Sequence, residues 1–164
     1  HPQKNHDFLI DVFAEIKKKK SDAELILVGN GPLEEKVKSK VAEKGLSGCV
    51  HFLGNRKDMN RIYQAMDVFV FPSLFEGLGI VAIEAQAAGI PIVCSEGLPP
   101  ETDITPIYRK LLLSDGAEKW ANAALEMAQN PSAHTNMQKY VIDTGFDMDA
   151  TAKYMEGFYL RKYN

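Results

Sequence analysis

Two carboxylates with seven residues between them, Glu76 and Glu84, enclose the segment Gly77-Leu78-Gly79-Ile80-Val-Ala-Ile83. Glycines at 77 and 79 permit positive φ and let a ligand approach the main chain. The helix expected to begin there has no acidic residue in its first turn, so its amides and dipole are open to an anion. This loop is the best diphosphate cradle in the chain. Glu84 falls in a run otherwise made of alanine and aliphatic residues, where a carboxylate needs a partner, and the vicinal hydroxyls of a ribose would supply two donors. Two plainer readings stand beside these. Ser73-Leu-Phe-Glu76 has the form of a capping box that merely closes a helix start. Glu84 could equally lie on a solvent edge, with Ile83 and Ala87 forming the buried stripe.

Other chemistry-bearing residues carry less. Gly29-Asn-Gly31 follows a strand-like run, but a dinucleotide fingerprint needs a third glycine where Glu34 stands, and Glu34 and Glu35 would repel a phosphate. A tight strand-to-helix turn is the better reading. Asp147-Met-Asp149 has the Asp-x-Asp form of some metal-dependent transferases, yet an aspartate N-cap before the last helix explains it, and no metal site is expected. His51 reads as a packed or edge residue of a strand, and His6 and His134 as helix-surface residues. No Cys/His cluster has zinc-site spacing and no Gly-x-Ser-x-Gly elbow occurs. The run Lys17–Lys20 reads as a solvated helix end rather than a lipid-binding patch.

The elements that must position these residues follow from hydrophobic periodicity. Phe8, Leu9, Val12, Phe13 and Ile16 mark one amphipathic helix. Apolar runs at 23–28, 49–53, 68–71 and 91–94 read as strands, each followed by a turn. Between them lie helices opened by Pro-Leu-Glu-Glu at 32–35, running through Met59, Ile62 and Met66, and ending at Ala88 with Gly89 as cap. Such alternation with uninterrupted apolar strands predicts an α/β domain, a doubly wound parallel sheet with helices on both faces. Leu111–Leu113 is expected as a further strand, and 117–128, 132–141 and 149–160 as helices. Ligands of such sheets bind beyond the carboxyl ends of the strands, which selects the loops 29–32, 54–57, 72–79 and 95–105.

The bulk numbers agree with one ordinary domain: 164 residues, 45% hydrophobic, 25% charged. A net charge of −3 and an acidic pI argue against a nucleic-acid partner. Cys49 and Cys94, far apart in apolar runs, suit a reducing, cytoplasmic setting. No apolar run approaches the roughly 20 residues of a membrane helix. The chain opens without methionine just ahead of a helix, so an upstream portion is expected.

Taken in order, Leu-Val-Gly-Asn-Gly-Pro-Leu (27–33), Val-His-Phe-Leu-Gly (50–54), Ala65-Met-Asp-Val-Phe-Val-Phe-Pro-Ser73, Glu76-Gly-Leu-Gly-Ile-Val-Ala-Ile-Glu84 and Ala88-Gly-Ile-Pro-Ile-Val-Cys94 resemble the C-terminal domain of group-1 glycosyltransferases. These are the retaining family 4 enzymes built from two facing Rossmann-like domains (GT-B). The resemblance implies a donor-binding half in which Glu76 lies beside the donor sugar and Glu84 holds the ribose. Gly77, Leu78, Gly79 and Ile80 would meet the diphosphate and sugar, and Lys4 would neutralise the leaving diphosphate. Gly54 and Asn55 would stand near the nucleobase.

It further implies residues 1–148 as the nucleotide-sugar-binding domain lacking its N-terminal strand and a neighbouring arginine, and residues 149–164 as a helix crossing toward an absent N-terminal domain. The implied reaction takes a UDP-linked sugar to a glycan or lipid-linked acceptor in bacterial exopolysaccharide or capsule synthesis, without cofactor or metal, in the cytoplasm or at the inner face of the membrane with peripheral association of the full enzyme. Glu76 and Glu84 are then not a glycosidase acid and nucleophile, since one serves the ribose. A non-catalytic nucleotide-sugar-binding or regulatory module is the alternative.

Overall fold

A computed structural model of the chain describes residues 1–130 and 132–162. Five strands, β1 (Leu25–Leu27), β2 (Val50–Phe52), β3 (Phe69–Phe71), β4 (Ile92–Ser95) and β5 (Tyr108–Leu111), alternate with α1 (His6–Lys19), α2 (Glu34–Glu43), α3 (Met59–Gln64) and α4 (Ile80–Ala87). Helices α5 (Gly116–Met127), α6 (Gln138–Asp143) and α7 (Met148–Lys162) complete the order, and a 3-10 turn at Pro2–Lys4 precedes α1. All strand pairings are parallel, β1 with β2 and β3 with β4 with β5.

Strand alternation distributes the core over two faces. In β4, Val93 packs with Val12 of α1 and with Trp120 and Ala124 of α5, while its neighbours Ile92 and Cys94 pack with Phe71 and Ala82 of α4. The stripe of α1 does the same work at β1, where Leu9, Ile10 and Phe13 meet Leu27 and, from α2, Val37 and Val41. Lys17 ends α1 by donating to the carbonyls of Ser21 and Ala23, and Lys18, Lys19 and Lys20 pair with Glu15, Glu118 and Asp22. Both cysteines are buried free thiols, and burial pushes the Cys94 thiol up to about 11, far from nucleophilic character.

The last expected strand is displaced. It occupies Tyr108–Leu111, in register with Ile92–Ser95, and Leu113 instead opens a 3-10 turn. Polar residues enter this edge strand because each finds a partner: the Tyr108 hydroxyl meets the Thr102 hydroxyl, and Arg109 takes the carboxylate of Glu126. The helix expected at 132–141 shrinks to α6. His134, expected on its surface, sits in a turn with φ of 57° and donates its N–H to Gly89 O. Gly89 lies so close to that turn that a Cβ would meet Thr135 O at 2.6 Å. A tertiary contact overrides the local helix signal.

The expected single sheet is interrupted between β1 and β3. Both strands border one hollow of about 1030 Å³, which reaches from Lys20 and Asp22 at the amino end of β1 to Gly29 and Lys4 at the carboxyl end. Leu25 and Gly29 donate toward β2, so alternation turns the N–H groups of Ile26 and Val28 to the hollow. Phe69 donates toward β4, which turns Val70 likewise.

Trp120 is fully buried, donates its indole N–H to Leu112 O at 2.9 Å and meets Phe8 edge-on at 5.5 Å. Truncation to alanine leaves a large cavity between α1 and α5. Trp120→Ala is expected to lower unfolding stability by about 3–5 kcal/mol, measured by chemical denaturation; a loss under about 1 kcal/mol would contradict this packing.

Candidate functional site

The carboxyl edge of β3 delivers Pro72-Ser73-Leu74-Phe75-Glu76, and this loop is braced from two directions. From β4, the Ser95 hydroxyl donates to Ser73 O, and Glu76 N–H donates to Gly97 O at 2.9 Å. From the N-terminal turn, Leu74 N–H donates to Gln3 O at 2.8 Å and the Gln3 amide to Phe75 O at 2.7 Å. These ties carry Lys4 to Glu76 although 72 residues separate them. Lys4 Nζ lies 2.8 Å from Glu76 Oε1 and 4.9 Å from the centre of the Phe71 ring.

Glu76 is therefore a nearly buried carboxylate with fixed donors. Its side chain is 7% exposed, and Oε1 also accepts the Ser73 hydroxyl at 2.5 Å. The capping-box reading does not hold, since α4 begins four residues later, at Ile80, and the Ser73 bond goes to a side chain. The Lys4 ammonium has three donors and spends one here, so a cation with capacity to spare stands beside the carboxylate.

Gly79 caps α4 with φ of 72°, a conformation that favours glycine, and lends no side chain to the first-turn amides. No acidic residue enters that turn, as expected. Gly77, expected to use positive φ, does not, and only Gly79 of the pair does. Leu78 and Ile80 are exposed at the rim of the loop.

Glu84 stands one helical turn beyond Ile80, about 6 Å along the axis. It is exposed rather than buried, while Ala82, Ile83, Ala85 and Gln86 form the buried side of α4; Ala87 is exposed. Its carboxylate borders the hollow and accepts the Tyr63 hydroxyl at 3.0 Å. No sequence signal pointed to Tyr63, whose helical spacing with Met59 and Met66 reads only as core.

The loop after β2 closes the far side. Gly54 has φ of 61° and its carbonyl accepts Gly29 N–H at 2.8 Å, joining the first two crevice loops. Asn55 and Arg56 border the same hollow as Lys4 and Glu84. Arg56 is held by a two-pronged ion pair that keeps the Asp58 carboxyl down at about 2. His51 lies far from this edge, on Glu24 at 2.7 Å. His6 opens α1, and burial above all holds its pKa down. The described residues form no group of three or more metal-ligating side chains.

The arrangement offers an anion-receptive helix start, a cation and carboxylate pair beside it, and a second carboxylate one turn deeper. A family model described as glycosyl transferases group 1 matches residues 1–144. EpsF of Bacillus subtilis, which bears the name of a glycosyltransferase, is 31% identical over all of this chain, and the match takes up 42% of its length. A GDP-mannose-dependent mannosyltransferase of Corynebacterium glutamicum acting on a monoacylated phosphatidylinositol monomannoside is 31% identical over 79% of the chain and 36% of its own. The chain thus spans less than half the length of these relatives. Among solved structures, the Anabaena protein HepE in complex with UDP-glucose superimposes with a TM-score of 0.77, at 20% identity, over 100% of this chain and 46% of that one.

Gly97 is the tightest joint of the site, because a Cβ there would run into Leu74 O and Ser73 O. Gly97→Ala must push back the loop that carries Glu76. It is expected to cost about 1–3 kcal/mol of stability by denaturant titration. Gly77→Ala, with open space around it, should stay within about 0.5 kcal/mol. Equal behaviour of the two variants would show that the close approach at Gly97 does not hold the loop.

Proposed function

The chain belongs to the group 1 glycosyl transferases, and on that premise we propose that it is the donor-binding half of a retaining, two-domain enzyme. The whole protein would move a sugar from a UDP-linked donor to a glycan or lipid-linked acceptor. The observation that carries the reading is the joining of Lys4 to Glu76 in the loop just ahead of α4, with Glu84 one turn into that helix.

In this reading the diphosphate rests on the first-turn amides of α4 and on the spare donors of Lys4. Glu76, held by Lys4 and Ser73, orients the sugar, and Glu84 takes the ribose hydroxyls. Departure of the diphosphate leaves an oxocarbenium-like centre. Fixed donors aimed at the leaving group stabilise that charge separation without reorganisation. Gly54 and Asn55 stand where the base would lie. UDP-glucose in the Anabaena complex supports a uridine donor, and the GDP-mannose dependence of the corynebacterial relative supplies the competing base. The lipid acceptor named for that relative supports a glycan or lipid-linked acceptor, which we place in bacterial exopolysaccharide or capsule assembly in the cytoplasm or at the inner membrane face. No helix among the described residues is long and apolar enough to cross a membrane. No cofactor or metal enters the scheme.

We also propose that the hollow between β1 and β3 receives a parallel strand from polypeptide upstream of His1. Gly31, after β1, lies against His1 N, and Leu74, after β3, bonds to Gln3 O, so residues 1–4 sit at the carboxyl end of the hollow. A strand ending there would feed α1, whose crossover to β1 completes a βαβ unit. The exposed Tyr154, Met155, Tyr159 and Leu160 of α7 suit contact with a further domain. With the upstream residues restored, the amides of Ile26, Val28 and Val70 are expected to gain hydrogen-exchange protection of roughly tenfold or more; unchanged exchange would refute the strand.

Glu84→Ala is expected to weaken UDP binding to the whole protein by about 1.5–3 kcal/mol for each hydrogen bond lost. Isothermal titration with UDP and GDP measures it, and an unchanged dissociation constant removes Glu84 from the ribose. A whole protein that binds UDP yet neither transfers nor hydrolyses any UDP-sugar would be a binding module instead.

A further inference from the structure

Glu84 has three side-chain torsions and stands on an exposed side of α4, so nothing in its own helix fixes where its carboxylate points. The fixing comes from α3. Tyr63 is 4% exposed, its ring packed among Met59, Met66, Phe69, Ala85 and Ile90, and its hydroxyl reaches out of that cluster to Glu84 Oε2 at 3.0 Å. A ring packed in that cluster, with the hollow beside it, makes a donor that moves less than the carboxylate. The carboxylate must come to it.

Helix α3 also begins just after the loop Gly54–Lys57, with Asp58, which the Arg56 guanidinium clamps, as its N-cap. One short helix therefore links the loop at the far side of the crevice to the carboxylate on α4. Burial, and after it the adjacent carboxylate, pushes the Tyr63 hydroxyl well above its ordinary pKa, so it stays a donor throughout the working pH range.

Resting on the ribose reading of Glu84, we infer that Tyr63 is a positioning residue for ribose recognition: it pins one oxygen of the Glu84 carboxylate so that the remaining lone pairs face the vicinal hydroxyls. A hydroxyl donates once, and an ionised carboxylate has about four acceptor sites, so one bond from Tyr63 leaves room for two from the sugar. Preorganising the acceptor reduces the ordering that binding would otherwise require. The consequence is selective, because a nucleotide without its 2′-hydroxyl gains less from an aligned carboxylate.

The test compares UDP with 2′-deoxy-UDP by isothermal titration of the whole protein and of Tyr63→Phe, Glu84→Ala and the double variant. Wild type is expected to prefer the ribonucleotide. Tyr63→Phe should reduce that preference by roughly three- to tenfold, weakening 2′-deoxy-UDP, which keeps its 3′-hydroxyl, less than UDP. In the Glu84→Ala background the same change should have no further effect on that preference. A purely structural tyrosine would weaken both nucleotides equally, and that result, with Glu84→Ala still abolishing the preference, overturns the inference alone. A preference that survives Glu84→Ala overturns the ribose reading together with it. Should Tyr63→Phe fail to fold, the 13Cζ resonance of Tyr63 in the wild-type protein decides. It is expected to shift on adding UDP and to shift less on adding 2′-deoxy-UDP. Indifference to both overturns the inference.

Discussion

Withdrawing a carboxylate from water costs free energy unless a cation and donors meet it. Glu76 meets that demand with Lys4 and Ser73, and the geometry of the whole carboxyl edge serves to keep them there. Lys4 is brought from 72 residues away by a 3-10 turn whose Gln3 bonds to the loop at 74–75 through both its carbonyl and its side-chain amide. Ser73 is held from below by the Ser95 hydroxyl. The close approach at Gly97 lets β4 and the loop after β3 share one layer. Two segments distant in sequence thus meet at one oxygen atom, and a third, at the end of β4, braces the loop that carries it.

Parallel strands concentrate such convergence at one edge, because every crossover returns the chain to the same end of the sheet. Loops after β1, β2, β3 and β4 consequently meet each other, as Gly29 meets Gly54 and Glu76 meets Gly97. The interruption between β1 and β3 lies under the same edge, and its hollow is continuous with the side chains of Lys4, Asn55 and Glu84. The floor of the crevice and the middle of the sheet are therefore one space. A strand placed there would stiffen the seats of Lys4 and of the Gly29 turn together.

Helix α4 combines two kinds of recognition in two turns. Its start, capped by a glycine in the left-handed region, offers dipole and main-chain donors without side-chain competition. One turn on, Glu84 offers the opposite polarity. A ligand with an anionic group and neighbouring hydroxyls about 6 Å apart matches that order, and few other helix starts in the chain could read it. At α2, by contrast, Glu34 and Glu35 occupy the first turn and Lys38 pairs with both.

Periodicity in the sequence determined the α/β class, the order of elements, the parallel sense of the sheet and hence the edge where ligands settle, because apolar spacing and crossover length are local properties of the chain. The Glu76–Glu84 spacing and the glycine before α4 were legible for the same reason. Short-range signals misled where a distant contact dominated: His134 left its expected helix for Gly89, and polar partners drew the fifth strand back to Tyr108. Only the tertiary structure decided that Lys4 serves Glu76, that Glu84 is exposed yet tethered by Tyr63, and that β1 and β3 face each other across a hollow. Those facts depend on atoms that are neighbours in space but up to 72 residues apart, and no window along the chain contains both partners.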